Sequence, residues 1–339
     1  EICACLVGSE MCIRDRRMTM LEGHSEPWRE WRAALASARM HHAWILSGPK
    51  GVGKGIFARA AAAELVAVPG IAATPVDHHP DILIPRHPPA TKEDEKKRDA
   101  GEPYTTKRSI PIDEIRALQH RLTTRPTLGP RRAIIIDPAD DLETGAVNAL
   151  LKSLEEPPAG TFFLLVTHRL GRLLPTIRSR CRILRFAPLS DETVDRILRV
   201  ESPQADTPTR AAAIVAAQGS PGVALDFVAE DLAKVHELMK LIVREGDRGF
   251  TLRGHLAEEV GARPRRERQA AVLDLARSVL AADLRAASSV RQARIIEAHG
   301  ALVRLAREVP TYNYDPGLLA MEIGALLASA AVPTEAGNR

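Results

Sequence analysis

The sequence predicts an α/β chain in which a parallel sheet, covered by helices on both faces, gives way to an all-helical remainder. Three observations carry this. Up to about residue 187, short apolar runs alternate with helical segments at the spacing of crossover units, which makes neighbouring strands parallel. A glycine-rich segment, Gly48-Pro49-Lys50-Gly51-Val52-Gly53-Lys54-Gly55, follows the first such run and opens a helix, the context in which a G-x-x-x-x-G-K phosphate loop works. After Pro188 the strand signal stops and helical periodicity takes over.

Glu26 to Arg39 sets Trp28, Trp31, Leu35 and Ala36 at helical spacing, and Ala43-Trp44-Ile45-Leu46-Ser47 is the first strand. Ile56 to Val66 continues the phosphate loop as an alanine-rich helix, and Asp81-Ile82-Leu83-Ile84 reads as the second strand. Residues 86–108 are rich in proline and charge around Lys92-Glu93-Asp94-Glu95-Lys96-Lys97-Arg98, which predicts a solvated insertion. A helix capped by Ser109 runs over Pro111 to Leu122. Arg131 to Asp137 is the third strand, and Thr144 to Glu155 a helix stopped by Pro157-Pro158. Thr161 to Thr167, a helical turn over Leu173 to Arg178, and a fifth strand over Arg182 to Phe186 complete the alternation. Asp191 to Val228 then forms a small helical unit broken at Gly219-Ser220-Pro221-Gly222, and Leu232 to Ala331 a larger one.

At 339 residues the chain has room for two or three domains. Its 47 basic and 43 acidic side chains nearly balance, so the charge permits nucleic-acid contact without requiring it. Aromatic residues are only 4% and lack the interleaving of a base-stacking platform, so any DNA contact would be to phosphates. No apolar run approaches the roughly 20 residues of a membrane span. The opening stretch, residues 1–17, begins on Glu1 and crowds Cys3, Cys5 and Cys12. Its string CLVGSEMCIRDR resembles translated adapter sequence, which places the expected native start at Met18 or Met20. Without it Cys181 is the one remaining thiol, and a lone thiol fits a reducing cytoplasm.

Gly48, Gly51 and Gly53 let backbone N–H groups close around phosphate oxygens, and Lys54 reaches the outer phosphates. Gly55 stands where the Mg²⁺-binding hydroxyl belongs. Asp137 ends an apolar strand on the metal side, but Pro138 follows it where ATPases of this type carry the acid that deprotonates water. A missing general base costs about 10²- to 10⁴-fold in rate. The nucleotide site of Gly48, Gly51, Gly53, Lys54 and Asp137 is therefore expected to be degenerate. Whether it still binds ATP without hydrolysing it stays open, and no resident metal is expected.

Asn148-Ala149-Leu150-Leu151-Lys152-Ser153-Leu154-Glu155-Glu156-Pro157-Pro158, followed some 20 residues on by Arg178-Ser179-Arg180-Cys181, resembles AAA+ clamp-loader subunits of bacterial DNA polymerase III. The degenerate loop and Pro138 are similar to the delta-prime type of subunit, as distinct from the hydrolysing gamma/tau type. The resemblance implies an AAA+ P-loop domain over 20–187 carrying the 86–108 insertion, a small helical lid over 188–231 and an all-helical collar over 232–332. It implies Arg180 as an arginine finger, acting in trans on ATP held by a neighbour. The implied partners are gamma/tau and delta subunits in a hetero-pentamer, the sliding clamp, and primed DNA through the complex, with no membrane.

The sequence departs from the family's pattern in three places. The four zinc-binding cysteines of many relatives are absent from Leu65 to Pro85, and His78 with His79 cannot complete a tetrahedral site, so no zinc is expected. Gly222 stands where hydrolysing members carry arginine. His41 and His42 lie where the family approaches the base, and they read equally as packed residues before a strand. An active gamma/tau-type ATPase is the alternative.

Overall fold

Five strands, β1 (Ala43–Ser47), β2 (Ile82–Leu83), β3 (Arg132–Ile136), β4 (Thr161–Thr167) and β5 (Arg182–Arg185), lie in the order β2-β3-β4-β1-β5, and every pairing is parallel. The computed structural model describes residues 22–37, 39–284, 286–309, 312 and 314–331. The expected adapter-like stretch and both candidate starts lie outside the described residues. Parallel neighbours need crossovers. These are supplied by α2 (Lys54–Val66), α3 (Lys92–Asp99), α4 (Ile112–Leu122), α5 (Thr144–Glu155) and the short α6 (Pro175–Arg178), while α1 (Ser25–Leu35) precedes β1. The fold class expected from the sequence is the one observed.

Alternation along the strands sorts the core into two layers. Ala43, Ile45, Ile134, Ile136, Phe163 and Leu165 share one face, packed with Ile115, Leu118 and Leu122 of α4 and Ala146, Leu150 and Leu154 of α5. On the other face Trp44 meets Trp31 of α1 edge-on at 5.5 Å between ring centroids. Phe57 of α2 packs against Trp28 at 4.3 Å and Phe186 at 5.0 Å. The long aromatic run of α1 thus closes the sheet face on which α2 lies.

β2 lacks Asp81 and Ile84 of the expected strand, and Asp81, just before it, turns its carboxylate to the chain entering β3. Asp81 is fully buried. Its oxygens accept the N–H groups of Thr127 at 2.6 Å and Leu128 at 2.8 Å, and Arg132 lies 3.8 Å away. Arg132, also buried, donates to the carbonyls of Arg121, Thr124 and Arg125.

Two local expectations are corrected. The 86–108 insertion is folded rather than a solvated loop: a bridge pairs Pro89 with Thr106, and α3 occupies its middle. Thr91 caps that helix through its hydroxyl oxygen, while Asp94 accepts the Thr91 hydroxyl at 2.7 Å and the Thr105 N–H at 3.0 Å. Acids in the first turn and bases in the last suit the helix dipole, so the charge run is itself the helix signal. Ser109 does not cap α4, whose N-cap is Pro111; its hydroxyl donates to Glu143 at 2.6 Å.

The chain divides into two compact units, one running to Pro188 and one from Leu189. The second is helical throughout its described residues: α7 (Asp191–Glu201), α8 (Thr207–Ala217), α9 (Pro221–Ala229), α10 (Ala233–Glu245), α11 (Thr251–Val260), α12 (Arg266–Asp283), α13 (Ser289–Glu308) and α14 (Pro316–Ser329). Side chains of Ser190, Asp206 and Asp315 cap α7, α8 and α14. Gln218 and Gly219, both with positive φ, break the chain between α8 and α9, and Gly222 lies in the first turn of α9. The expected boundary at residue 231 falls between α9 and α10. Among the described residues no helix is long and apolar enough to cross a membrane.

Candidate functional site

The phosphate loop leaves the C-terminal end of β1 and enters α2 at Lys54. Gly51 and Gly53 take φ of 76° and 109°, a region open to glycine, and Gly53 is the N-cap of α2. At Gly48 a Cβ would come within 2.3 Å of the Phe186 carbonyl, so the backbones approach too closely for any side chain. His24, which precedes α1, is buried and donates from Nε2 to the Val52 carbonyl at 2.7 Å, tying the loop to the start of the unit. Burial pushes the His24 pKa down, and the nearby Lys54 charge adds to that.

Lys54 is only 2% exposed, and its ammonium donates to the loop's own carbonyls at Gly48, 2.7 Å away, and Pro49. Desolvation brings its pKa down to about 8, against the opposing pull of Asp137 and Asp140. The lysine that would meet phosphate thus closes the loop on itself.

Asp137 lies against Gly55. A Cβ at residue 55 would sit 2.3 Å from Asp137 Oδ2, so the carboxylate fills the space that a serine or threonine there would need. Burial raises the Asp137 pKa, opposed by the charges of Arg59 and Lys54. The next acids along the chain are committed elsewhere. Asp140 accepts the Thr167 hydroxyl at 3.0 Å and the His168 N–H at 2.7 Å, while Asp141 accepts from His87 Nε2 at 3.1 Å. Pro138, beside Asp137, supplies no carboxylate at the position after the strand. Burial, then Lys54, holds the His168 pKa below its usual value.

Gly48, Gly51, Gly53, Lys54 and Asp137 therefore come together at one end of the sheet, and Arg180 does not join them. Arg182, two residues after Arg180, pairs with Trp44 near the beginning of β1, whereas the phosphate loop starts after Ser47. At about 3.3 Å per residue, β1 separates the two sites by roughly 13 Å, at opposite ends of the sheet. Arg180 is held locally: Nη2 meets Glu155 Oε1 at 2.7 Å and Nη1 donates to the Thr176 carbonyl at 2.9 Å. His41 and His42 belong to this end as well. Their rings stack at 4.8 Å, and they bond to the backbone carbonyls of Ala43 and Leu154.

Cys181 packs against the core layer next to α5, and burial pushes its thiol up to about 12. At pH 8 such a group holds about a thousandfold less thiolate than an ordinary thiol. Iodoacetamide should leave the Cys181 peptide unmodified in native protein and alkylate it readily in urea, as read by mass spectrometry.

Sequence reasoning missed Thr167, Asp140, His168, His24 and Glu155. A signal existed for Thr167: it is a polar residue ending an apolar strand, and that strand pairs beside the phosphate-loop strand, with Ser47 opposite Thr167. The others depend on contacts between distant segments.

A family profile described as "DNA polymerase III, delta subunit" matches residues 23–190. The Pseudomonas aeruginosa protein named DNA polymerase III subunit delta' is 33% identical over 168 residues, 46% of this chain and 46% of the relative. The Escherichia coli protein of that name is 36% identical over 137 residues, 40% of this chain and 41% of the relative. A Mycobacterium bovis protein named DNA polymerase III subunit gamma/tau is 33% identical over 206 residues, 59% of this chain but 34% of its own length. The matched stretches span less than half the length of each relative. The stretch matched by the profile, 23–190, contains the phosphate loop, Asp137 and Arg180, and over it, just under half of its length, the chain is similar to the DNA polymerase III delta subunit family.

Proposed function

We propose that this chain is a clamp-loader subunit of the delta-prime type. It completes a hetero-pentamer with gamma/tau and delta subunits, turns over no ATP itself, and presents Arg180 to ATP held by a neighbour, helping to load the sliding clamp on primed DNA. The observation that carries the reading is that Arg180 and the chain's own phosphate loop lie at opposite ends of one sheet. An arginine so placed has no access to its own loop's phosphates. Its permanent charge and rigid fork suit a phosphate supplied from outside.

The closed loop supports the inert half of the proposal. Lys54 is bonded to loop carbonyls, Asp137 occupies the space beside Gly55, and Pro138 supplies no base. The proposed subunit also carries no zinc, since Leu65 to Pro85 lacks cysteine. The longer match to a gamma/tau protein favours a second reading, an active ATPase.

Incubating the purified chain with ATP and Mg²⁺ separates the two. The expected result is no phosphate release above background, with Lys54→Ala unchanged from wild type. Steady-state hydrolysis abolished by Lys54→Ala would establish the active-ATPase reading instead.

A further inference from the structure

We infer that Glu155 is a positioning residue for Arg180, presenting its guanidinium to the neighbouring subunit. The inference rests on the trans role proposed above for Arg180. Glu155 is the last residue of α5, and its Oε1 lies 2.7 Å from Arg180 Nη2. Thr176, in α6, offers its carbonyl to Nη1 at 2.9 Å, and the Ser179 hydroxyl oxygen lies 3.4 Å from the same nitrogen. Two separate elements thus grip the guanidinium before any partner arrives. These contacts do not exhaust its five N–H donors, and 35% of the side chain remains exposed.

The position of Glu155 is a poor one for stability. The C-terminal end of a helix repels a carboxylate, and an ion pair this exposed contributes little to the fold. What the pair does is restrict a long, rotamer-rich side chain to one geometry. A free arginine would lose that freedom on meeting phosphate, and Arg180 has lost it in advance. Glu156, the adjacent acid, is exposed and has no comparable contact with Arg180.

The test is ATPase of the reconstituted complex with clamp and primed DNA, after gel filtration has confirmed equal incorporation of each variant. Glu155→Gln should reproduce most of the loss caused by Arg180→Ala, as a fall in kcat with KM for ATP unchanged. In the Arg180→Ala background the same substitution should change nothing further, and Glu156→Gln in the wild-type background should leave the rate intact. An equal loss from Glu155→Gln in both backgrounds would mark Glu155 as structural and overturn the inference. Unchanged or increased kcat with Glu155→Gln, while Arg180→Ala still impairs the complex, would overturn it and leave the trans role standing. If Arg180→Ala itself has no effect, the underlying reading of Arg180 fails.

Discussion

In a reconstituted complex with clamp and primed DNA, Arg180→Ala is expected to lower ATP hydrolysis while the subunit still assembles. The side chain is pinned at the surface by Glu155 and Thr176 and is absent from both core layers, so its removal leaves the sheet intact. Arginine fingers contribute about 10³ to 10⁵ in rate. The one site that Arg180 serves should therefore fall nearly silent, and the complex should retain the turnover of its other sites. Clamp loading should fall with it. Arg180→Lys should rescue poorly, because an ammonium keeps the charge but lacks the planar fork. Full activity in an assembled Arg180→Ala complex would show that the arginine serves no neighbour.

Asp81→Ala should destabilise the first unit by about 3–5 kcal/mol, the cost of leaving one partner of a buried ion pair uncompensated. Asp81 and Arg132 are both buried and together hold residues 121–128 against β2 and β3. Without the carboxylate, the N–H groups of Thr127 and Leu128 also lose their acceptor. Trp28, Trp31 and Trp44 are the chain's only tryptophans and all lie in the first unit, so their fluorescence in urea follows its unfolding alone. Asp81→Asn, which retains one acceptor oxygen, should lose less. A midpoint shift in Asp81→Ala no larger than that of an exposed substitution such as Asp113→Ala would refute this account.

The sheet was legible because its signals are local. Apolar runs bounded by turns gave β1, β3, β4 and β5 within one or two residues, and a proline pair ended α5 where expected. The insertion departs from expectation for an equally local reason: its charge run is solvated, but acids precede bases behind a capping threonine, and it forms a helix where a loop is expected. Within the candidate site, glycine spacing exposed the loop and its missing hydroxyl. It could not show that Lys54 turns back onto the loop, or that Asp137 moves into the space beside Gly55. The first is a side-chain turn within the loop that glycine spacing does not encode, and the second joins the end of β3 to the loop after β1, which only the folded strand order brings together. Glu155 and Arg180 likewise meet only once α5 and α6 have packed.

A parallel sheet with a closed phosphate loop at one end and a half-buried arginine at the other gives the first unit a direction, like an arrow with unlike tip and tail. If Arg180 serves a neighbour as proposed, such units share sites head to tail, each arginine reaching the loop of the next. In a row built that way every interior member both gives and receives. On the function proposed above, this chain gives without receiving, which would set it at one terminus of the row, with one fewer working site than the units that line them.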